Sequence, residues 1–192
     1  MALSSRVGIF GGSFDPPHDG HVALAREAID YFQLDRLLVR VVANPGHKEV
    51  ETALQVRLAL AELAFAAIDE AEVSIDPFAR TVDSLEALDL DDPVFLIGAD
   101  ELAAFPTWTR PGRVLELARI GAATRPGSDL TDLGRVVGSL PRPDRVELFP
   151  ITPLAVSSSE VRDRVAAGLP IDHLVPMTVA AEIHRLDLYR GE

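Results

Sequence analysis

Apolar positions along the chain switch between two periods, and the switching predicts a sheet covered by helices. Short aliphatic and β-branched runs at Arg6–Phe10, Arg36–Val42, Glu72–Ile75, Val94–Gly98, Ile120–Thr124 and Val146–Phe149 read as strands. Between them, helical patterning covers His18–Phe32, Ala53–Ala67, Val82–Leu88, Arg113–Ala118 and Leu130–Ser139. Two further helices are expected at Ser158–Ala167 and Pro176–Leu186. Alternation of this kind gives an α/β fold: a doubly wound, mainly parallel sheet with helices on both faces. Pro141, Pro143, Pro150 and Pro153 punctuate the approach to a small C-terminal helical portion. In Ala53–Ala67, Leu54, Leu58, Ala61 and Phe65 share one helical face, and packing is its expected role.

Ligands of open α/β sheets gather at the carboxyl ends of the strands. The loops after Phe10, Val42, Gly98, Thr124 and Phe149 are therefore the places to look for chemistry. The first reads Gly11-Gly12-Ser13-Phe14-Asp15-Pro16-Pro17-His18-Asp19-Gly20-His21. Its paired glycines let backbone N–H groups approach a bulky anion, and the helix starting near His18 points its positive end at the same spot. His18 and His21 are three apart and share a helical face, with Gly20 keeping the approach open. A metal held with Asp15, a structural loop cap and phosphate binding are all compatible with the histidine pair. The glycines and helix start favour phosphate. Neither a Walker A sequence nor G-x-G-x-x-G is present, so an ordinary P-loop or dinucleotide fingerprint is excluded.

The last loop carries Ser157-Ser158-Ser159-Glu160-Val161-Arg162. Ser157 and Glu160 have capping-box spacing, which starts a helix at Ser158. A capped helix end with further hydroxyls and an arginine one turn in is also suited to polyphosphate.

Composition narrows the class further. The 192 residues fit one domain spanning 1–192. No cysteine is present, which excludes disulfides, thiolate metal sites and cysteine nucleophiles. The N-terminus lacks a signal-peptide pattern and no apolar run approaches the ~20 residues of a spanning helix, so the expectation is a cytoplasmic protein with no membrane partner. A net charge of −12 argues against nucleic acid as a partner. A small polyanion then needs locally concentrated cations, and Lys48 is the only lysine.

The Gly11–His21 string resembles the G-G-[ST]-F-D-P-x-H-x-G-H signature of the nucleotidylyltransferase superfamily, and Ser157–Arg162 resembles its I-S-S-[ST]-x-[IV]-R motif. The middle of the chain is similar to one member, the nicotinate mononucleotide adenylyltransferases. Gly46-His47-Lys48 resembles P-P-H-K, Thr81-Val82-Asp83-Ser84-Leu85 resembles T-[IV]-D-T-L, and Leu96–Asp100 through Trp108 resembles I-G-x-D…W. Arg125-Pro126-Gly127 matches R-P-G. The resemblance runs from Val7 to about Arg185 and implies a Rossmann-like fold.

It also implies roles. His18 would stabilise transition-state charge, His21 would bind phosphate, and Lys48 and Arg162 would neutralise the triphosphate. Gly11, Gly12, Ser13, Phe14, Asp15, Gly98, Asp100, Ser157, Ser158 and Ser159 would form the ATP site. Thr81, Asp83, Trp108 and Arg125 would form the acceptor site, with Trp108 stacking on the pyridine ring. Mg²⁺ would arrive with ATP, held mainly by phosphates and water, with no protein metal ligands. The implied partners are ATP and a mononucleotide, and a homo-oligomer is compatible with the pattern.

Two departures bear on the acceptor. Pro45-Gly46 replaces a proline pair, and Phe78-Ala79-Arg80 stands where Pro-Ser-Tyr is usual, near the pyridine carboxylate. Nicotinamide mononucleotide or pantetheine phosphate as acceptor therefore stays open, as does a non-catalytic nucleotide-binding regulatory module.

Overall fold

A computed structural model describes residues 5–45, 50 and 52–190. Strands β1 (Val7–Gly12), β2 (Arg36–Val42), β3 (Ala71–Asp76), β4 (Val94–Gly98), β5 (Arg119–Thr124) and β6 (Val146–Pro150) form one sheet in the order β3-β2-β1-β4-β5-β6. Each neighbouring pair is parallel; Ile9 lies opposite Leu38 on one side and Phe95 on the other. The chain winds outward from β1 in one direction and then from β4 in the other. The switch therefore falls between β1 and β4, where such sheets open a crevice at their carboxyl ends.

Alternation along the strands sorts side chains into two cores. Phe10, Leu37, Val39, Leu96 and Ala123 face α1 (Asp19–Phe32), α2 (Leu54–Phe65), α7 (Ser158–Ala166) and α8 (Met177–Arg185). Ile9, Leu38, Phe95, Ile97 and Ala122 face α3 (Thr81–Leu88), α4 (Ala99–Ala104), α5 (Pro111–Leu117) and α6 (Leu130–Ser139). The C-terminal helices are part of the layer made by α1 and α2: Val161, Val165, Val179, Ala180 and Ile183 join the same apolar cluster. The Asp19 N–H donates to the carbonyl of Leu174 at 2.9 Å, tying this segment to the start of α1.

Two local readings change. Helix α2 buries Arg57, Leu60, Ala61, Ala64 and Phe65, whereas Leu54 and Leu58 are only partly buried. Its sequence is apolar nearly all round, so periodicity did not single out the face that packing chose. Helix α4 has no counterpart among the expected helices. Its six residues offer a single buried side chain, Leu102, too little to establish a helical period.

Candidate active site

The loop leaving β1 is held by an unusual number of bonds. Phe14 adopts a left-handed backbone with φ of 49°. That conformation costs a non-glycine residue energy, and burial of its ring offsets the cost. The ring sits edge-on to Phe10 at 5.5 Å, Phe65 at 5.6 Å and His21 at 5.1 Å. The Asp15–Pro16 peptide that follows is cis.

From α2, the Arg57 guanidinium reaches under this loop, with only 2% of the residue exposed. It donates to the carbonyls of Ser13 at 2.8 Å, Val42 at 2.9 Å, Thr52 at 3.1 Å and Ala43 at 3.3 Å. Burial pulls its pKa down, opposed by the nearby Asp15 carboxylate and Tyr189 phenol. Its hydrogen bonds go to backbone carbonyls, fastening the ends of β1 and β2.

Helix α7 grips the same loop from the other end of the chain. Ser157 caps the helix, its Oγ accepting from the Glu160 N–H at 3.1 Å, as the spacing predicts. The Ser158 hydroxyl donates to the Pro16 carbonyl at 2.8 Å. Arg162 donates from Nη1 to the Asp15 carbonyl at 2.7 Å and from Nη2 to Ser159 Oγ at 3.2 Å. The first and last motifs of the sequence thus share one surface.

The two histidines stand at the amino end of α1, which His18 caps in an extended conformation. Their rings stack, with centroids 3.7 Å apart and planes 24° from parallel. The His18 N–H donates to His21 Nδ1 at 3.2 Å. An accepting Nδ1 bears no proton, so a neutral His21 ring carries it on Nε2. His18 is buried, and its Nδ1 has no hydrogen-bond partner among the described residues. Burial, assisted by the positive charge of Arg125, lowers its pKa from 6.5 to about 4. The ring is therefore neutral at neutral pH. Gly20 makes this placement possible, because a Cβ there would lie 3.0 Å from His18 Nδ1 and 3.2 Å from Val156 Cγ1.

Gly98 ends β4 beside β1 and donates its N–H to Glu101 Oε2 at 3.1 Å, while Asp100 is exposed in the first turn of α4. Gly11 and Gly12 close β1; a Cβ on Gly12 would meet the Phe14 ring at 3.0 Å.

The expected acceptor residues form a looser group. Thr81 opens α3 half-buried, and Asp83 two residues on pairs with Arg110 at 3.0 Å. Trp108, also half-buried, packs against Phe105 at 5.1 Å and Phe95 at 6.3 Å. The Asp83–Arg110 pair therefore brings α3 and the Trp108 segment together. Arg125 is exposed after β5, where its N–H donates to Ser128 Oγ at 3.0 Å, and its charge acts on His18 across the site. Arg80 is exposed and has no ion pair or hydrogen bond among the described residues beyond its backbone. Lys48, with Gly46 and His47, lies outside the described residues.

Sequence reasoning missed Tyr189 altogether. Its hydroxyl donates to Asp15 Oδ1 at 2.7 Å, and Asp15 is itself only 5% exposed. A tyrosine set between Leu188 and Arg190, with no motif around it, carries no local signal. Asp15, a metal ligand in one reading of the histidine pair, instead accepts from this phenol. Among the described residues no three His, Cys, Asp or Glu side chains assemble to hold a metal ion. Nor is any described helix long and apolar enough to cross a membrane.

Residues 9–164 match the family model described as cytidylyltransferase-like. A nicotinate-nucleotide adenylyltransferase of Thermomicrobium roseum is 39% identical over 198 residues, covering 97% of this chain and 92% of that protein. One from Bordetella avium is 36% identical over 96% of this chain and 98% of its own length. Among solved structures, the Plasmodium falciparum nicotinic acid mononucleotide adenylyltransferase complexed with NaAD superposes with a TM-score of 0.79. It covers 96% of this chain and 97% of its own, and at 16% identity the likeness speaks to the fold. The family model and the relatives agree along nearly the whole length, and the chain belongs to the nicotinate-nucleotide adenylyltransferase family of cytidylyltransferase-like proteins.

Proposed function

We propose that the protein transfers AMP from ATP to nicotinate mononucleotide, giving nicotinate adenine dinucleotide and pyrophosphate. The acceptor's phosphate oxygen bonds to the α-phosphorus of ATP as the bond from that phosphorus to the pyrophosphate oxygen breaks. A phosphate monoester is largely dianionic at neutral pH, so the nucleophile needs no general base. Catalysis is then positioning plus neutralisation of charge spread over the phosphoryl oxygens. ATP enters as its Mg²⁺ complex, the metal belonging to the substrate.

In this reading the stacked His18 and His21 rings and the positive amino end of α1 face the α-phosphate. The start of α7, with Ser157, Ser158, Ser159 and Arg162, takes the β- and γ-phosphates, with Lys48 adding charge. His18 is neutral before ATP arrives, and the triphosphate's charge raises its pKa again, so proton uptake accompanies the build-up of negative charge. Gly98 and Asp100 border the nucleotide, while Thr81, Asp83, Trp108 and Arg125 border the acceptor.

One observation carries the proposal: the histidine pair from one end of the chain and the α7 clamp from the other converge on a single loop at the switch point of the sheet. Family membership supports the acceptor. The test is pyrophosphate release from MgATP with nicotinate and nicotinamide mononucleotides run in parallel. Rapid release with the nicotinate form alone is expected. Release with the nicotinamide form alone would overturn the choice of acceptor, and silence with both would favour a non-catalytic nucleotide sensor.

A further inference from the structure

Three of the bonds that hold the first loop end on its backbone carbonyls. The carboxylate of Asp15 is held differently. It is buried 174 positions away in sequence from the phenol that donates to it at 2.7 Å. Tyr189 reaches it through a left-handed backbone with φ of 59°, and Leu188 and Tyr189 both pack against the apolar cluster of α1, α2, α7 and α8. Burial and the Asp15 carboxylate push the phenol's pKa well up, so it remains a donor throughout the working pH range. A buried carboxylate deprived of a donor is costly, so Asp15 stays seated only while this contact lasts.

The path from Asp15 to the histidine pair is short and stiff. Only Pro16 and Pro17 separate Asp15 from His18, and each proline ring fixes φ. Displacement of the Asp15 backbone is therefore passed toward His18 with little slack. Arg57 and Arg162 spend their hydrogen bonds to the loop on the carbonyls of Ser13 and Asp15; the Arg57 charge acts on the Asp15 carboxylate nearby, and Tyr189 supplies it with a directional donor.

We propose that Tyr189 is a positioning residue for adenylyl transfer: through the Asp15 carboxylate it sets where the first loop presents His18. The kinetic part of this inference rests on the function proposed above.

Tyr189→Phe deletes only the hydroxyl. Against the wild type, kcat with MgATP and nicotinate mononucleotide should fall about tenfold, the scale of one hydrogen bond to a charged group, with KM for ATP little changed. In an Asp15→Asn background the same substitution should cost no more than about twofold, because the charged link is already gone. An acceptor-independent readout accompanies these. The histidine NMR titration of His18 should move from about 4 toward the ordinary 6.5 as the loop loosens. Its surroundings include Arg125, His21 and Asp19, so the shift is read against Arg125→Gln to separate charge from position. An unmoved titration, a kcat within twofold of wild type, or equal losses with and without Asp15→Asn would each overturn the role. A loss that appears only as a lower melting temperature would likewise make Tyr189 a stabilising residue alone. If the wild type releases no pyrophosphate, the proposed function fails while the NMR titration still decides this inference.

Discussion

The two halves of the site are built to different standards. Around the loop after β1, Arg57, Ser158, Arg162 and Tyr189 each hold the chain at a short distance, and Phe14 and His18 are buried. Around the residues proposed for the acceptor, Asp83 and Arg110 form a half-exposed ion pair, Trp108 is half-buried, and Arg80 and Arg125 stand in solvent. Exposed ion pairs contribute roughly 0–1 kcal/mol, so they fix little. The contrast teaches a division of labour. Groups that meet developing charge must be placed before reaction, because reorganising them during it would raise the barrier. Groups that select a partner can close around it afterwards.

The sharpest way to break this contrast is to remove His18. His18→Ala should lower kcat by about 10²–10³-fold, the scale of losing one preorganised charge-stabilising group, while the affinity for ATP changes only a few-fold. Single-turnover kinetics alongside ATP binding would separate the two. Equal losses in both would mean that His18 binds the ground state as tightly as the transition state, and the preorganised half would lose its distinction.

Placement of His18 also has a signature in stability. Its pKa falls from 6.5 unfolded to about 4 folded, through burial and then the charge of Arg125. Above the unfolded value both states are neutral and the group contributes no pH dependence. As pH falls from about 6.5 to 4 the unfolded chain takes up the proton first, so stability drops. The full loss approaches about 3 kcal/mol at 1.36 kcal/mol per unit. Urea unfolding at several pH values across that window should show the decline in the wild type and a flatter profile in His18→Ala. Matching slopes would mean that His18 is not held neutral by the fold.

The preorganised half was also the more legible in sequence, for a physical reason. In the proposed role, cradling a phosphate would restrict backbone and side chain together, and glycines, a helix start and two histidines do appear within eleven residues, Gly11–His21. The six strands were legible to within two residues because β1 and β4 are apolar on both faces and β3 alternates apolar with polar along Ala71–Asp76. What escaped depends on contacts distant in sequence. Arg57 looks like a surface residue on an apolar helix until the carbonyls of Ser13 and Val42 are seen above it. Tyr189 lies beyond the motifs that carried the resemblance, and its partner is 174 positions away in sequence. Helix α4 was hidden by its brevity. Of the acceptor half, the sequence supplied residue types without geometry, and exposed side chains leave no periodic trace.

A smaller perturbation tests how finely the histidine pair is set. In Gly20→Ala the new methyl would lie 3.0 Å from His18 Nδ1 and 3.2 Å from Val156 Cγ1. Contacts that tight must be relieved by moving a ring packed 3.7 Å from its neighbour. A sub-ångström displacement of a catalytic group should cost about ten- to thirtyfold in kcat, given that a 1 Å misplacement can cost 10²-fold. Turnover within twofold of the wild type would show that the loop yields easily, which is the property assigned to the other half.

The smallest expected effect belongs to that other half, at Trp108. Its ring contacts Phe105 at 5.1 Å and Phe95 at 6.3 Å while remaining half-exposed, so the core takes up only part of it. An aromatic stack contributes roughly 0.5–1.5 kcal/mol beyond area burial, which corresponds to a two- to twelvefold change in binding. Trp108→Ala should therefore raise KM for the mononucleotide several-fold and leave KM for ATP unchanged, whereas Trp108→Phe should recover much of the loss. Because truncation also removes packing against Phe105, the melting temperature should fall as well, and that fall alone does not distinguish the roles. The pattern of KM values does. A selective effect on the mononucleotide, reversed by phenylalanine, assigns the exposed part of the ring to substrate. Unchanged KM values with lower stability would assign Trp108 wholly to the core and shift pyridine recognition toward the Arg80 and Thr81 end of α3.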